Sequence, residues 1–166
     1  MLEKAPCSNP LSSNISYLDN AYLFFIIHKY DHSYKKQQSH EKKVYAIDNG
    51  LVISNTTKVQ EDHGQLFENL IFLYLRQKYN DIHYYRNNGE CDFIVSQNGK
   101  PIACYQVCYD LNRHNEKREV NGLIEAMTDL NIVKGYIITL DQNDTLQQDG
   151  LPITLVSADV LMTEII

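Results

Sequence analysis

The chain has 166 residues, 43% hydrophobic and 22% charged, which suits one globular domain, or a small domain plus a fragment, with enough length to bury a core. Its net charge of −6 comes wholly from residues 64–166, with eight Lys/Arg against fourteen Asp/Glu, while residues 1–63 balance at seven and seven. Domains that grip nucleic acid unaided are usually basic, so this balance argues against strong autonomous binding. The four cysteines (Cys7, Cys91, Cys104, Cys108) form no CxxC pair and read as reduced thiols of a cytosolic protein. With no signal-like N-terminus and no apolar run near the roughly 20 residues of a membrane span, a soluble, cytoplasmic chain without a membrane partner is expected.

Residues 1–10, broken by Pro6 and Pro10, read as a disordered leader. From Leu11 a short helix is expected, with Ser13 or Ser16 as cap and Ile15, Leu18, Ala21 and Tyr22 at helical spacing. Phe24–His28 reads as a strand, Lys29–Lys43 as a long basic loop with five lysines, and Lys43–Asp48 as a second strand stopped by Asn49-Gly50. A short helix feeding two strands across a basic loop resembles the rear half of a winged helix. In that reading residues 11–60 form a partial winged-helix and linker segment. Lys35, Lys36, Lys42 and Lys43 are its candidate nucleic-acid contacts; a plainly solvated loop is the alternative.

Residues 61–166 read as the main domain. Glu61 and Asp62 favour the dipole of a helix beginning near Gly64, whose Leu66, Phe67, Leu70, Ile71, Leu73, Tyr74 and Leu75 call for burial around most of its circumference. Three strands follow, Ile82–Arg86, Cys91–Ser96 and Pro101–Cys108, joined through Asn87-Asn88-Gly89 and Asn98-Gly99 as an antiparallel meander. Asn112 or Asn115 can cap a helix running to Leu130, with Val120, Leu123, Ile124, Met127 and Leu130 on one face. Lys134–Leu140 should return parallel to the third strand by a right-handed crossover. Asp141–Gly150 reads as a polar loop, Ile153–Val156 as a last strand, and Ser157 as the cap of a closing helix.

Alternation in the strands puts Asp92 with Ile94, opposite Cys91, Phe93 and Val95, and can bring Asp92 beside Gln106. The buried helix can deliver Glu68 over the same sheet edge. This order, with Glu68, then Asp92, then a residue-x-residue pair, resembles the PD-(D/E)XK nuclease superfamily. More closely, Gly64-x-x-x-Glu68-Asn69, Glu90-x-Asp92-Phe93, Gln106-Val107-Cys108-Tyr109 and Lys43–Leu51 look like the C-terminal domain of bacterial and archaeal AAA-type P-loop ATPases. The resemblance spans roughly residues 16–140.

It implies an α/β, restriction-endonuclease-like fold: a central mixed sheet (α-β-β-β-α-β-β) flanked by helices. Active members use two carboxylates to hold Mg²⁺, which polarises the scissile phosphate and acidifies the attacking water. A lysine two residues after the second acid stabilises developing charge. Glu68 and Asp92 match acids of that pattern; Gln106 stands for the second strand acid and Cys108 for the lysine. The resemblance therefore implies a degenerate catalytic set of Glu68, Asp92, Gln106 and Cys108, with Asp92, Glu68 and Gln106 as the ligands of any Mg²⁺, which folding would not require.

Each acid can instead be a structural one, held by backbone N–H groups, Arg86 or Arg113. Cys91, Cys104 and Cys108 read as buried thiols rather than a zinc cluster, and His28 with His32 as a solvated pair. No GxxxxGK[ST] occurs in the sequence, so an ATPase module, if present, lies upstream. The expected role is that of an accessory domain binding nucleic acid, DNA among it, or a partner protein. A Mg²⁺-dependent nuclease and a pure protein-interaction scaffold are the alternatives.

Overall fold

The computed structural model describes residues 23–54 and 63–163. The expected leader, the helix from Leu11, Cys7, the polar link after residue 54, and Glu61 and Asp62 lie outside the described residues. Among those described, no helix is long and apolar enough to cross a membrane.

Two strands, β1 (Phe24–His28) and β2 (Lys42–Ala46), pair antiparallel as an arm. The basic stretch between them is not all loop: it contains a helical turn and a half, α1 (Tyr34–Ser39). The Gln37 amide donates to the Asp31 carbonyl at 2.6 Å and the Ser33 N–H to Asp31 Oδ1 at 2.8 Å, closing a local turn that the lysine-rich composition hides. Asn49-Gly50 likewise does more than stop β2, because it opens α2 (Asn49–Ser54), with the Leu51 N–H donating to Asp48 Oδ1 at 3.2 Å.

The long helix is α3 (His63–Lys78). It buries Phe67, Asn69, Ile71, Phe72 and Leu75, but Leu70 remains exposed, so burial covers a broad face and not most of the circumference. The main sheet has six strands, in spatial order β3 (Asp81–Arg86), β4 (Glu90–Gln97), β5 (Lys100–Val107), β6 (Gly135–Thr139), β8 (Leu151–Ser157) and β7 (Asp144–Gln148). Strands β3 (Asp81–Arg86), β4 (Glu90–Gln97) and β5 (Lys100–Val107) form the expected antiparallel meander. Asn98 and Gly99 both take positive φ, as a two-residue hairpin turn between strands of right-handed twist requires.

Helix α4 (Glu116–Asp129) carries the chain to β6 (Gly135–Thr139), parallel to β5 as expected from a crossover. The supposed polar loop after β6 holds an edge strand, β7 (Asp144–Gln148), which pairs antiparallel with β8 (Leu151–Ser157). Its only apolar residue is Leu146, so no alternation announces it; the Asp149-Gly150 turn, both residues at positive φ, forms the hairpin. Helix α5 (Ala158–Thr163) closes the described chain.

Two apolar clusters lie on opposite faces of the sheet. One joins Phe67, Ile71, Phe72 and Leu75 of α3 to Phe93, Val95, Tyr105 and Ile138, and includes Ile27 and Tyr45 of the arm. The other joins Val120, Leu123, Ile124 and Met127 of α4 to Cys91, Ile94, Cys104, Cys108 and Ile137. The arm therefore shares its core with the main sheet: Tyr45 stacks on Phe72 at 4.3 Å between ring centroids. Asn69 fastens it there, accepting from the Ala46 N–H at 2.8 Å and donating to the Ala46 carbonyl at 3.1 Å. This buried amide replaces the strand neighbour that β2 lacks on that side.

Candidate functional site

The site grows from an irregularity in β4. Against β3, His83 pairs with Ile94 but Tyr85 with Cys91, so β4 carries one extra residue over that interval. Such a bulge breaks the alternation of side chains. Asp92 does not follow Ile94 to the α4 face, as strict period-2 counting predicted. Its carboxylate turns toward the α3 and arm side, while Cys91 and Ile94 are both buried in the α4 cluster.

There Lys43 Nζ lies 2.9 Å from Asp92 Oδ1, 2.8 Å from Glu90 Oε1 and 3.4 Å from Glu68 Oε1. Glu68 also accepts from the Tyr45 hydroxyl at 2.6 Å, and the Val107 N–H donates to Asp92 Oδ2 at 2.9 Å. One ammonium is thus surrounded by carboxylates from α3 and β4. Asp92 is almost fully buried, Lys43 and Glu68 are about three-quarters buried, and Glu90 stands at the rim, where Arg86 reaches it at 3.7 Å.

The electrostatics follow from burial in unequal amounts. Desolvation pushes the Asp92 carboxyl up to about 6, and the neighbouring Lys43 charge offsets only part of that. Burial alone would pull Lys43 down; the charges of Asp92 and Glu68, with the hydrogen bonds to Glu90 and Asp92, outweigh it and raise the ammonium above its ordinary value. Burial and then Glu68 raise the Tyr45 hydroxyl, which therefore stays a donor.

Glu68 and Asp92 meet as the sequence suggested, but Gln106 and Cys108 do not join them. Gln106 reaches the α4 face, where its Nε2 donates to Glu119 Oε2 at 2.6 Å, while its Oε1 accepts from the Asp92 N–H at 3.3 Å. It lies beside Asp92 through the backbone and away from the carboxylate. Cys108 is buried in the α4 cluster, its thiol donating to the Asp110 carbonyl at 3.3 Å and accepting from Asn115 Nδ2 at 3.4 Å. Burial, followed by Glu119, pushes that thiol up to about 11, so it is neither a cation nor a nucleophile near neutrality. Cys91, Cys104 and Cys108 are all free and buried.

Lys35, Lys36 and Lys42 are exposed, but Lys43 is committed to the acids and is not a solvent-facing phosphate contact. Alternation in β2 could have signalled this, since Lys43 shares a face with the core residue Tyr45. Glu119 was also missed. An acid one turn before Leu123 on the apolar stripe of α4 is a buried-partner signal, and the partner is Gln106, with Arg118 Nε donating to its other oxygen at 3.0 Å.

As arranged, the donors do not fit the Mg²⁺ that the sequence resemblance implies. Gln106 has its carbonyl on a backbone N–H, one Asp92 oxygen accepts from Val107, and the other faces a lysine. Among the described residues no group of three or more His, Cys, Asp or Glu side chains is arranged to hold a metal ion.

The molecule is thus a mixed α/β domain, a six-stranded mixed sheet flanked by helices, with an acid–lysine pocket where the arm meets β4 and β5. The chain belongs to the DUF4143 family, described as a domain of unknown function, whose model matches residues 63–157. It is similar to "Uncharacterized protein MJ1544" of Methanocaldococcus jannaschii, 32% identical over 135 residues, covering 78% of this chain and 29% of that protein. It is also similar to an "Uncharacterized protein" of Haemophilus influenzae, 26% identical over 156 residues, covering 93% of this chain and 38% of that protein. The chain spans 29% and 38% of the lengths of these two curated relatives. No solved structure matches.

Proposed function

We propose that the chain acts as a C-terminal accessory domain of an AAA-type ATPase: a restriction-endonuclease-like module with a degenerate nuclease site, which binds a partner rather than cutting nucleic acid. One observation carries the reading. The side chains at the two positions that would complete the nuclease set, Gln106 and Cys108, are turned to the α4 face and engaged there, away from the carboxylates of Asp92 and Glu68. The acids that remain form an ion-paired pocket, and loss of a charge-stabilising group typically costs orders of magnitude in rate. The presence of Glu68, Glu90 and Asp92 in one pocket supports the nuclease-like ancestry. Lys35, Lys36 and Lys42 supply the exposed positive charge through which the arm would meet nucleic acid.

A Mg²⁺-dependent nuclease is the second reading, and Lys43 favours it, because an amine 2.9 Å from Asp92 enters from the arm although none follows Gln106 in β5. Incubating the chain with plasmid and single-stranded DNA in Mg²⁺ or Mn²⁺ separates the two. No cleavage is expected; cleavage that Asp92→Ala abolishes makes the chain a working nuclease. Binding to DNA of random sequence is measured beside it against salt. A steep salt slope, reduced in a triple Lys35/Lys36/Lys42→Ala variant, identifies a nucleic-acid partner, and a flat one a protein partner.

A further inference from the structure

The misfit between this pocket and a metal ion has a specific cause. Three carboxylate oxygens, from Glu68 on α3 and from Glu90 and Asp92 on β4, converge within 3.4 Å of the Lys43 ammonium. A divalent ion binds carboxylate oxygens at about 2.0–2.6 Å, so it would need the same small volume and the same oxygens. The ammonium and the ion exclude each other.

We propose that Lys43 is the pocket's resident cation: its tethered ammonium holds the place of a divalent ion, and removing its charge turns Glu68, Glu90 and Asp92 into a divalent-cation site. This rests on the reading of the pocket as nuclease-like without being catalytic.

Lys43 is built into this position. Its strand is clamped by the two hydrogen bonds between Asn69 and Ala46, and Tyr45, two residues on, is wedged against Phe72 and Phe93 while donating to Glu68. The Lys43 ammonium lies over the Tyr84 ring, with Nζ 5.7 Å from its centroid. Arg86 reaches the outer oxygen of Glu90 at 3.7 Å and pairs with Glu41 at 3.4 Å, staying at the rim, so among the described residues Lys43 is the cation at the convergence point. With its charge removed, up to three negative charges face each other at close range, an arrangement that either recruits a cation or destabilises the fold. Both consequences can be read.

The test is calorimetric titration of Mn²⁺ alone into the full chain, as wild type, Lys43→Arg, Lys43→Met and Lys43→Met with Asp92→Asn. Wild type and Lys43→Arg should bind weakly, Lys43→Met on the order of a hundredfold tighter, and the double variant should lose the gain. A folded Lys43→Met protein that binds Mn²⁺ no tighter than wild type overturns the proposal. If Lys43→Met does not fold in plain buffer, Mn²⁺ but not NaCl of equal ionic strength should restore its native amide spectrum, and failure of that rescue overturns it equally. Tight Mn²⁺ binding by wild type with DNA cleavage would refute the non-catalytic reading. A silent wild type with an equally silent Lys43→Met refutes only the role of Lys43.

Discussion

The two faces of the β4–β5 pair handle the same chemistry in opposite ways. On the α3 face, Asp92, Glu68 and Glu90 surround Lys43 in a pocket that is half open at the Glu90 rim. On the α4 face, Gln106 and Glu119 are tied together in a closed core beside Cys108. Two hydrogen bonds involving the backbone join them: Asp92 gives its N–H to Gln106 Oε1, and its carboxylate takes the N–H of Val107. The open face keeps net negative charge around a single tethered ammonium. The closed face has only packing and neutralised polar groups. A nuclease site needs both sets of side chains on one face, and the single extra residue in β4 moved Asp92 away from the face that Gln106 occupies.

The closed face is broken most severely by restoring the expected nuclease residues. Gln106→Glu with Cys108→Lys sets a carboxylate against Glu119 and a lysine into the buried thiol's place. Burial of unpaired charge should cost at least about 3 kcal/mol and give no DNA cleavage, checked by urea unfolding and a plasmid assay. Stable, cleaving protein would show that Gln106 and Cys108 can turn to the α3 face.

Glu119→Ala tests the closed face more gently. It leaves the Gln106 amide buried without its acceptor and should cost about 1–3 kcal/mol, with Glu119→Gln losing less. Amide shifts should reach Asp92, because Gln106 accepts from its N–H. Shifts confined to α4 would mean that the two faces are not coupled.

The open face shows its effect only as the pH changes. Since burial raises the Asp92 carboxyl to about 6, the folded state holds a proton that the unfolded chain, at the ordinary 3.8, has released. The destabilising contribution of this carboxylate is absent below pH of about 4, grows as the pH rises through 6, and is complete above that. Asp92→Asn should therefore flatten the fall in stability between those limits, as read from unfolding free energy followed against pH. Identical slopes in both proteins would place the proton elsewhere.

Much of the architecture is legible in the sequence. Apolar spacing on α3 and α4, and the Asn98-Gly99 turn, are local signals, and they specify two helices, a meander and a parallel return. Edge strand β7 was not legible, because a polar strand with Leu146 alone inward lacks alternation. Helix α1 was masked by its lysines. In the site, Glu68 and Asp92 were identifiable by type and order, while Lys43 was misassigned to the surface and Glu119 passed over.

The sequence by itself determined the two long helices, the meander and the parallel return, their order, and which acids could meet, since helical and strand periodicity and turn chemistry are encoded within a few residues. Tertiary structure decided which side of the sheet each polar group serves. That choice depends on one unpaired residue between β3 and β4, which reverses the facing of Asp92, and on the docking of an arm more than twenty residues upstream of Glu68, which brings Lys43 into the pocket. Neither the pairing register of two strands nor a contact across that separation leaves a local mark, so the ammonium among the carboxylates exists only in the folded chain.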